Sequence, residues 1–207
     1  MHGRISRSFR VLSLAAATVA LGLAGTASAT RIEATALSFI GEPLEVLLQV
    51  DDAIDPGKLV LTLEIIGPEG TLGDLAGFLA HVNDESLLAG LSATGPYVSR
   101  SMFLANQLGG PAGLSPCYCD LRLEFGTPGI LHDDLRSVTF TIAHATQALD
   151  VSFLVGRSFG IDVTSVGTGQ NRDRPSRLVG VVPEPTSALL LGLGLAGLAG
   201  IQSKSRE

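Results

Sequence analysis

Residues 119–125 read CDLRLEF, and this heptapeptide shows the pattern that decides the fold. Its apolar residues fall at every second position, and its charged residues fall between them. Because successive side chains of a β-strand point to opposite faces, such a strand buries one face and exposes the other. The apolar set is Cys119, Leu121, Leu123 and Phe125, and the charged set is Asp120, Arg122 and Glu124.

The same period of two recurs along the chain, and turn residues such as Asp55-Pro56-Gly57, Gly67-Pro68-Glu69-Gly70 and Gly167-Thr168-Gly169 separate the segments. Many short strands without long helical periods between them predict an antiparallel β-sandwich. We therefore expect an all-β domain of about eight or nine strands over residues 30–166. The other apolar faces are Leu59, Leu61, Leu63 and Ile65; Val138, Phe140 and Ile142; Leu149, Val151, Phe153 and Val155; and Phe159, Ile161 and Val163.

Two segments depart from this pattern. Between Asp74 and Leu91 the apolar residues have helical spacing, which predicts one short helix. Residues 167–182 begin with glycine and charged residues, so we interpret them as a polar loop followed by a last strand or a linker. The helically spaced residues are Leu75, Phe78, Leu79 and Val82.

Residues 1–29 have the layout of a secretory signal peptide. Three arginines precede an apolar run of 14 residues, Val11–Ala24, and small residues follow at Ala27 and Ala29. About 20 apolar residues are needed to cross a membrane, so this run is too short for a permanent anchor. We expect cleavage after Ala29 and export of the remaining chain.

A second apolar run lies near the other end of the chain. Pro183-Glu184-Pro185 precedes the run Ala188–Ile201, and a short tail with Lys204 and Arg206 follows. Two prolines cannot continue a helix or a central strand, so the motif predicts an exposed, extended break. The run predicts a single apolar helix roughly 21 Å long, which suits transient membrane insertion.

In this order, the motif, the helix and the basic tail resemble the PEP-CTERM sorting signal of Gram-negative bacteria that produce exopolysaccharide. The resemblance covers residues 182–206, so residues 183–207 are interpreted as a sorting signal. It implies that an exosortase, a membrane cysteine protease, recognises Pro183, Glu184 and Pro185. It also implies transient residence in the inner membrane, then the cell surface or extracellular matrix, in association with exopolysaccharide and biofilm.

The charge of the expected mature body excludes one class of partner. Between Thr30 and Val182 there are 18 Asp and Glu against 9 Lys and Arg, a net charge of −9. An acidic surface repels phosphate backbones, and the sequence has no basic stripe with interleaved aromatic residues. Nucleic acid is therefore not an expected partner.

Cys117 and Cys119 are the two cysteines of the chain. Export to an oxidising compartment favours a disulfide between them. Free thiols, intermolecular pairing, and a redox or soft-metal site that the fold completes with a histidine remain open. His144 is the candidate histidine, because it shares the parity of Val138 and Ile142.

Acidic residues in turns suggest a weak calcium site. We expect no other cofactor. Asp51, Asp52 and Asp55 offer three carboxylates in one turn, but they lack the EF-hand spacing. A second group is His132, Asp133 and Asp134.

The sequence contains neither GxSxG nor HExxH, so it presents no recognised nucleophile or zinc protease motif. Tryptophan is absent, and Tyr97 and Tyr118 are the possible sugar contacts. We expect a non-enzymatic exported protein. The alternatives are a carbohydrate-binding or adhesive module, possibly supported by calcium, and an exported hydrolase with paired carboxylates.

Overall fold

The computed structural model describes residues 30–109, 117–127, 134–169 and 171–184. Ten β-strands and two short 3₁₀ helices, Glu85–Gly90 and Val151–Phe153, make up the elements of these residues. The strands are β1 (Arg31–Gly41), β2 (Glu45–Asp51), β3 (Leu59–Gly67), β4 (Leu72–Ala80), β5 (Leu91–Thr94), β6 (Val98–Leu108), β7 (Cys119–Phe125), β8 (Ser137–His144), β9 (Ser158–Thr168) and β10 (Asn171–Val181).

All ten strands form one antiparallel sheet in the order β5-β8-β3-β2-β1-β10-β9-β4-β7-β6. The sheet rolls around one core, because rings from strands far apart in this order meet inside it. The ring of Phe140 on β8 lies 5.3 Å from that of Phe125 on β7 and 5.5 Å from that of Phe78 on β4, measured between centroids. Since β8 is second in the order and β7 ninth, the sheet is nearly closed on itself.

The prediction of an all-β, antiparallel fold is confirmed, but its arrangement as a sandwich of separate sheets needs correction. β10 pairs with β1 on one side and with β9 on the other, which joins the two halves into one continuous sheet. The number of strands among the described residues is ten rather than eight or nine.

The helix predicted between Asp74 and Leu91 is wrong over its first half, which is strand β4. Leu75 and Phe78, three positions apart, both lie in the core. Their spacing arises from a register irregularity between Leu75 and Gly77 in the pairing with β9, which shifts the alternation of buried side chains. The short 3₁₀ helix Glu85–Gly90 follows in the second half.

The strand period over residues 149–155 is also misleading. Val151 and Phe153 are buried as the alternation predicts, but they belong to a 3₁₀ helix. Asp150 caps this helix, because its side chain accepts a hydrogen bond of 2.8 Å from the Ser152 N–H. Helical capping therefore overrides the strand pattern here.

Residues 171–181 of the ambiguous segment 167–182 form a strand in the middle of the sheet rather than a linker. The glycine-rich turn after β9 leads directly into it. The folded body therefore continues past residue 166 to the edge of the sorting motif. The predicted signal peptide and the predicted apolar helix lie outside the described residues.

Candidate functional site

The first candidate site is the point where the chain leaves the sheet. Val182 follows the last residue of β10 and is only 1% exposed. Its N–H donates to the Arg157 carbonyl oxygen at 2.9 Å, and its own carbonyl oxygen accepts from the Gly156 N–H at 2.8 Å. Pro183 and Glu184, which come next, are exposed. The fixed body and the predicted recognition residues are thus immediate neighbours.

Asn83 fastens the loops around this exit. Its Nδ2 donates to the carbonyl oxygens of Ser152 at 2.6 Å and Val155 at 2.8 Å, and its Oδ1 accepts from Arg157 Nε at 2.5 Å. Arg157, whose carbonyl oxygen binds the Val182 N–H, is therefore itself held by Asn83, which lies in the loop after β4. This end of the molecule is a connected hydrogen-bond network.

The second candidate site is a sulfur and imidazole cluster at the start of β7. Cys117 and Cys119 form a disulfide with their Cα atoms 5.1 Å apart, which is within the usual range. A ring nitrogen of His81 and the two sulfur atoms lie within 4.8 Å of one another. The cluster combines two soft ligands and one imidazole.

Asp120 positions this cluster from below. It is 1% exposed, and its carboxylate accepts hydrogen bonds from the backbone N–H groups of Val82 at 2.9 Å and Asn106 at 2.7 Å. His81 Nδ1 lies 3.3 Å from the same carboxylate. Since a carboxylate accepts, Nδ1 is the ring nitrogen that carries the hydrogen of this contact.

The two candidate sites lie at the same end of the sheet. Ala80 of β4 pairs with Leu121 of β7 and with Phe159 of β9, and Phe159 pairs with Gly180 of β10. One row of residues therefore crosses four neighbouring strands just before the cluster and the chain exit. Three strand spacings correspond to about 14 Å.

The sequence pointed to His144 as the partner of the cysteines, and the structure brings His81 there instead. His144 ends β8, where its Nδ1 accepts from the N–H groups of Thr146 at 3.2 Å and Gln147 at 3.0 Å. Parity alone cannot select the histidine, because the pairing of β4 with β7 decides which residue reaches the cysteines.

The structure uses the predicted calcium ligands separately. Asp51 Oδ1 accepts from the Ala53 N–H at 2.7 Å. Asp52 accepts from the N–H groups of Thr30 at 2.6 Å and Val151 at 3.1 Å. Asp55 pairs with Lys58 at 2.8 Å.

The remaining candidates are spread over the molecule. Tyr118, between the two cysteines, is 75% exposed, and Tyr97 lies on the rim of a hollow near β6. Asp134 forms an ion pair with Arg172. His132 and Asp133 lie outside the described residues, as do Ala27, Ala29 and Pro185.

Sequence reasoning missed a buried ion pair on the outer face of the sheet. Asp162 of β9 lies between the core residues Ile161 and Val163, so it points away from the core. Its Oδ1 is 3.3 Å from Arg177 Nε of β10. Burial raises the pKa of Asp162, and the charges of Arg177 and Arg122 partly offset this rise. The pair connects two strands.

Several open hollows lie at the end of the sheet opposite the chain exit. Glu42 and Arg174 line the two larger ones, of about 430 and 540 Å³, and form an ion pair at 2.5 Å. Arg174 and Val182 are eight residues apart along one strand, or about 26 Å. The larger hollow is lined by Glu42, Pro43, Pro68, Thr71, Val166, Gly167, Thr168, Asn171, Asp173 and Arg174.

Comparison with known proteins identifies the first site. Residues 181–203 match the family model described as the PEP-CTERM protein-sorting motif. No curated protein and no solved structure matches the chain. Among the described residues, no helix has the length and apolar character of a membrane span.

The matched segment begins at the last residue of β10 and includes the exposed Pro183 and Glu184. The motif implies processing by exosortase, a membrane protein, and export to the cell surface or extracellular space. The chain therefore carries a PEP-CTERM protein-sorting motif over residues 181–203, and this motif supports an exported protein that exosortase sorts.

Proposed function

We propose that the folded body is a non-enzymatic module of the cell surface or extracellular matrix, delivered there folded and held among exopolysaccharide. The observation that carries this proposal is the chain exit. Val182 is buried and hydrogen-bonded, while Pro183 and Glu184 are exposed directly after it. A cut beyond Glu184 therefore leaves all ten described strands and every described core residue in the body.

The packed interior supports a structural role. Rings and aliphatic side chains from all parts of the sheet fill the space that it encloses. The open hollows lie at the end of the sheet opposite the chain exit. The acidic surface keeps an exported protein soluble and disfavours association with anionic surfaces.

The test is the location of the body in three strains: wild type, one lacking exosortase, and one lacking exopolysaccharide synthesis. We expect the body in the matrix fraction of the wild type, in the membrane fraction without exosortase, and in the medium without exopolysaccharide. Recovery in the medium of all three strains would contradict a matrix role. Shortening of the isolated polysaccharide by the purified full chain would identify a hydrolase instead.

A second candidate function is carbohydrate binding at the end opposite the chain exit. Thr71, Thr168 and Asn171 line the larger hollow with hydrogen-bonding side chains, and the Glu42 and Arg174 ion pair lies beside them. Hydroxyl, amide and charged groups of this kind bind sugar hydroxyls. This end of the sheet is the one opposite the point where the sorting motif begins.

A glycan array with the full chain tests this candidate. We expect Arg174→Gln to lose the binding of the wild type. Arg31→Gln is the matched control, because Arg31 also forms an exposed ion pair, with Glu33 at 3.0 Å, but on the strand end near the chain exit. Equal binding by both variants, or no binding by the wild type, would exclude this site. Loss of glycan binding when calcium is chelated would show that calcium supports the site.

A further inference from the structure

The disulfide between Cys117 and Cys119 spans a single residue, Tyr118. A bridge stabilises a fold by restricting the unfolded chain, and this restriction grows with loop length. For so short a loop the chain-entropy contribution is small compared with that of a loop of about 15 residues. The disulfide therefore adds little to the stability of the fold.

The two cysteines of the bridge differ in burial. Cys117 is half-buried and Tyr118 beside it is 75% exposed, whereas Cys119 is fully buried at the start of β7. The bridge is therefore less covered at Cys117 than at Cys119. His81, 26% exposed at its side chain, lies beside both sulfur atoms.

We propose that His81, Cys117 and Cys119 form a redox-gated binding site for a thiophilic d¹⁰ metal ion, Zn²⁺ or Cu⁺. Two thiolates and an imidazole are the ligands that both ions favour. Zn–S bonds of about 2.3 Å and Zn–N bonds of about 2.0–2.1 Å place neighbouring ligand atoms about 3.5–3.8 Å apart. The three groups already lie within 4.8 Å of one another, so rotation about the cysteine side chains suffices.

Asp120 supplies the support that metal-binding histidines require. A ligating imidazole commonly donates its second ring N–H to a carboxylate, which fixes the ring and its tautomer. Asp120 is buried, is itself fixed by two backbone N–H groups, and lies 3.3 Å from His81 Nδ1. In the proposed site, Nε2 of His81 is the nitrogen that binds the metal, because Nδ1 donates to Asp120.

The gate is reduction of the bridge by a thiol. A thiolate attacks Sγ of Cys117, the S–S bond breaks, and its electron pair passes to Sγ of Cys119, which takes a proton from solvent. A second thiol releases Cys117 from the mixed disulfide and leaves as the disulfide of the reductant. Metal binding then displaces the protons of both thiols.

The test uses the full chain, reduced with a phosphine, freed of reductant under argon and titrated with Co²⁺. We expect one Co²⁺ per chain with a thiolate-to-metal charge-transfer band, and no such band in the oxidised chain. Zn²⁺ and Cu⁺ are then added in separate competitions, and the ion that displaces Co²⁺ at the lower concentration is the preferred one. Absence of the band in the reduced chain, with its strand signal in circular dichroism intact, would overturn the proposal.

Variants separate a metal site from a merely structural bridge. His81→Gln and Asp120→Asn should each weaken Co²⁺ binding at least about tenfold. His144→Gln, a histidine outside the cluster, should leave it unchanged. Cys117→Ser leaves the buried Cys119 in place. Its charge-transfer band should fall below the intensity that two thiolates give in the wild type. Equal affinity in His81→Gln and the wild type would overturn the ligand assignment.

Discussion

Buried carboxylates hold the loops of this protein to its sheet. Asp120 binds the backbone of Val82 and Asn106, and Asp74 accepts from the Leu135 N–H at 3.0 Å. Both acids are at most 4% exposed. At the scale of single residues, these acids fix irregular segments that the strand ladders do not reach.

Replacing Asp120 by alanine should lower the free energy of unfolding by about 2–4 kcal/mol, because two buried N–H groups lose their acceptor. Urea denaturation of the full chain measures this change. Asp55→Ala is the control, since Asp55 forms an exposed ion pair with Lys58 and should change stability by less than about 1 kcal/mol. Similar losses in both variants would contradict the role of Asp120.

Asp162 gives a prediction for pH dependence. Burial raises its folded-state pKa above the ordinary value of 3.8, so the folded protein binds more protons than the unfolded chain in this range. The contribution of Asp162 to stability is therefore present below pH 3.8 and is lost as pH rises through the raised pKa. Asp162→Asn removes this dependence.

Urea denaturation at a series of pH values tests the sign. The wild type should lose stability relative to Asp162→Asn across this window, and the difference should level off above it. Asp55→Asn, at an exposed acid, controls for general charge effects. Parallel curves for the wild type and Asp162→Asn would show that Asp162 is not protonated more readily in the folded state.

At the scale of elements, β10 joins the two halves of the sheet, because it pairs with β1 on one side and β9 on the other. It also ends at the sorting motif. Gly180 lies opposite Phe159 in this strand. A Cβ at position 180 would lie 2.5 Å from Phe159 Cζ and 3.0 Å from the Thr35 carbonyl oxygen. Because residue 180 has no side chain, the Phe159 ring of β9 can lie directly against β10.

We therefore expect Gly180→Ala to destabilise the protein by about 1–3 kcal/mol through overpacking. Chemical denaturation of the single variants and of Gly180→Ala with Phe159→Leu completes a double-mutant cycle. The double variant should lose less stability than the two single variants together, since the smaller side chain relieves the contact. Strict additivity would show that Phe159 is not what limits position 180.

Strands with strict alternation could be predicted from the sequence, and the irregular ones could not. β8 buries every second residue from Val138 to Ile142, and β7 buries its apolar residues at every second position, with Asp120 also buried between Cys119 and Leu121. In β4 a bulge changes the buried face after Leu75, which produced a helical spacing. Around Val151 a capping aspartate turned an alternating segment into a 3₁₀ helix. Both failures concern local backbone geometry that side-chain polarity does not encode.

At the scale of the whole molecule, the predictability of a site depends on whether its residues are contiguous. The sorting motif is one short segment, and its residues identify it directly. The histidine of the sulfur cluster is 36 residues before Cys117 and reaches it only through the pairing of β4 with β7. The continuous sheet likewise depends on a pairing between Leu37 and Val179.

Glu184→Gln should block processing, because the variant changes an exposed charge inside the matched motif without touching the sheet. The full-length chain should then accumulate in the membrane fraction, as immunoblotting after fractionation would show. Glu69→Gln is the matched control, since Glu69 also follows a proline and is exposed. Normal sorting of Glu184→Gln would remove this residue from the recognised set.

The central claim is that the body is delivered folded and is separated from its tail beyond Glu184. Intact mass and terminal sequencing of the protein recovered from its own cells, fraction by fraction, test it most directly. We predict a surface or medium species that starts at Thr30 and retains Val182, with the apolar run removed. A species that ends before Val182, or one that keeps residues 188–207 in every fraction, would contradict it.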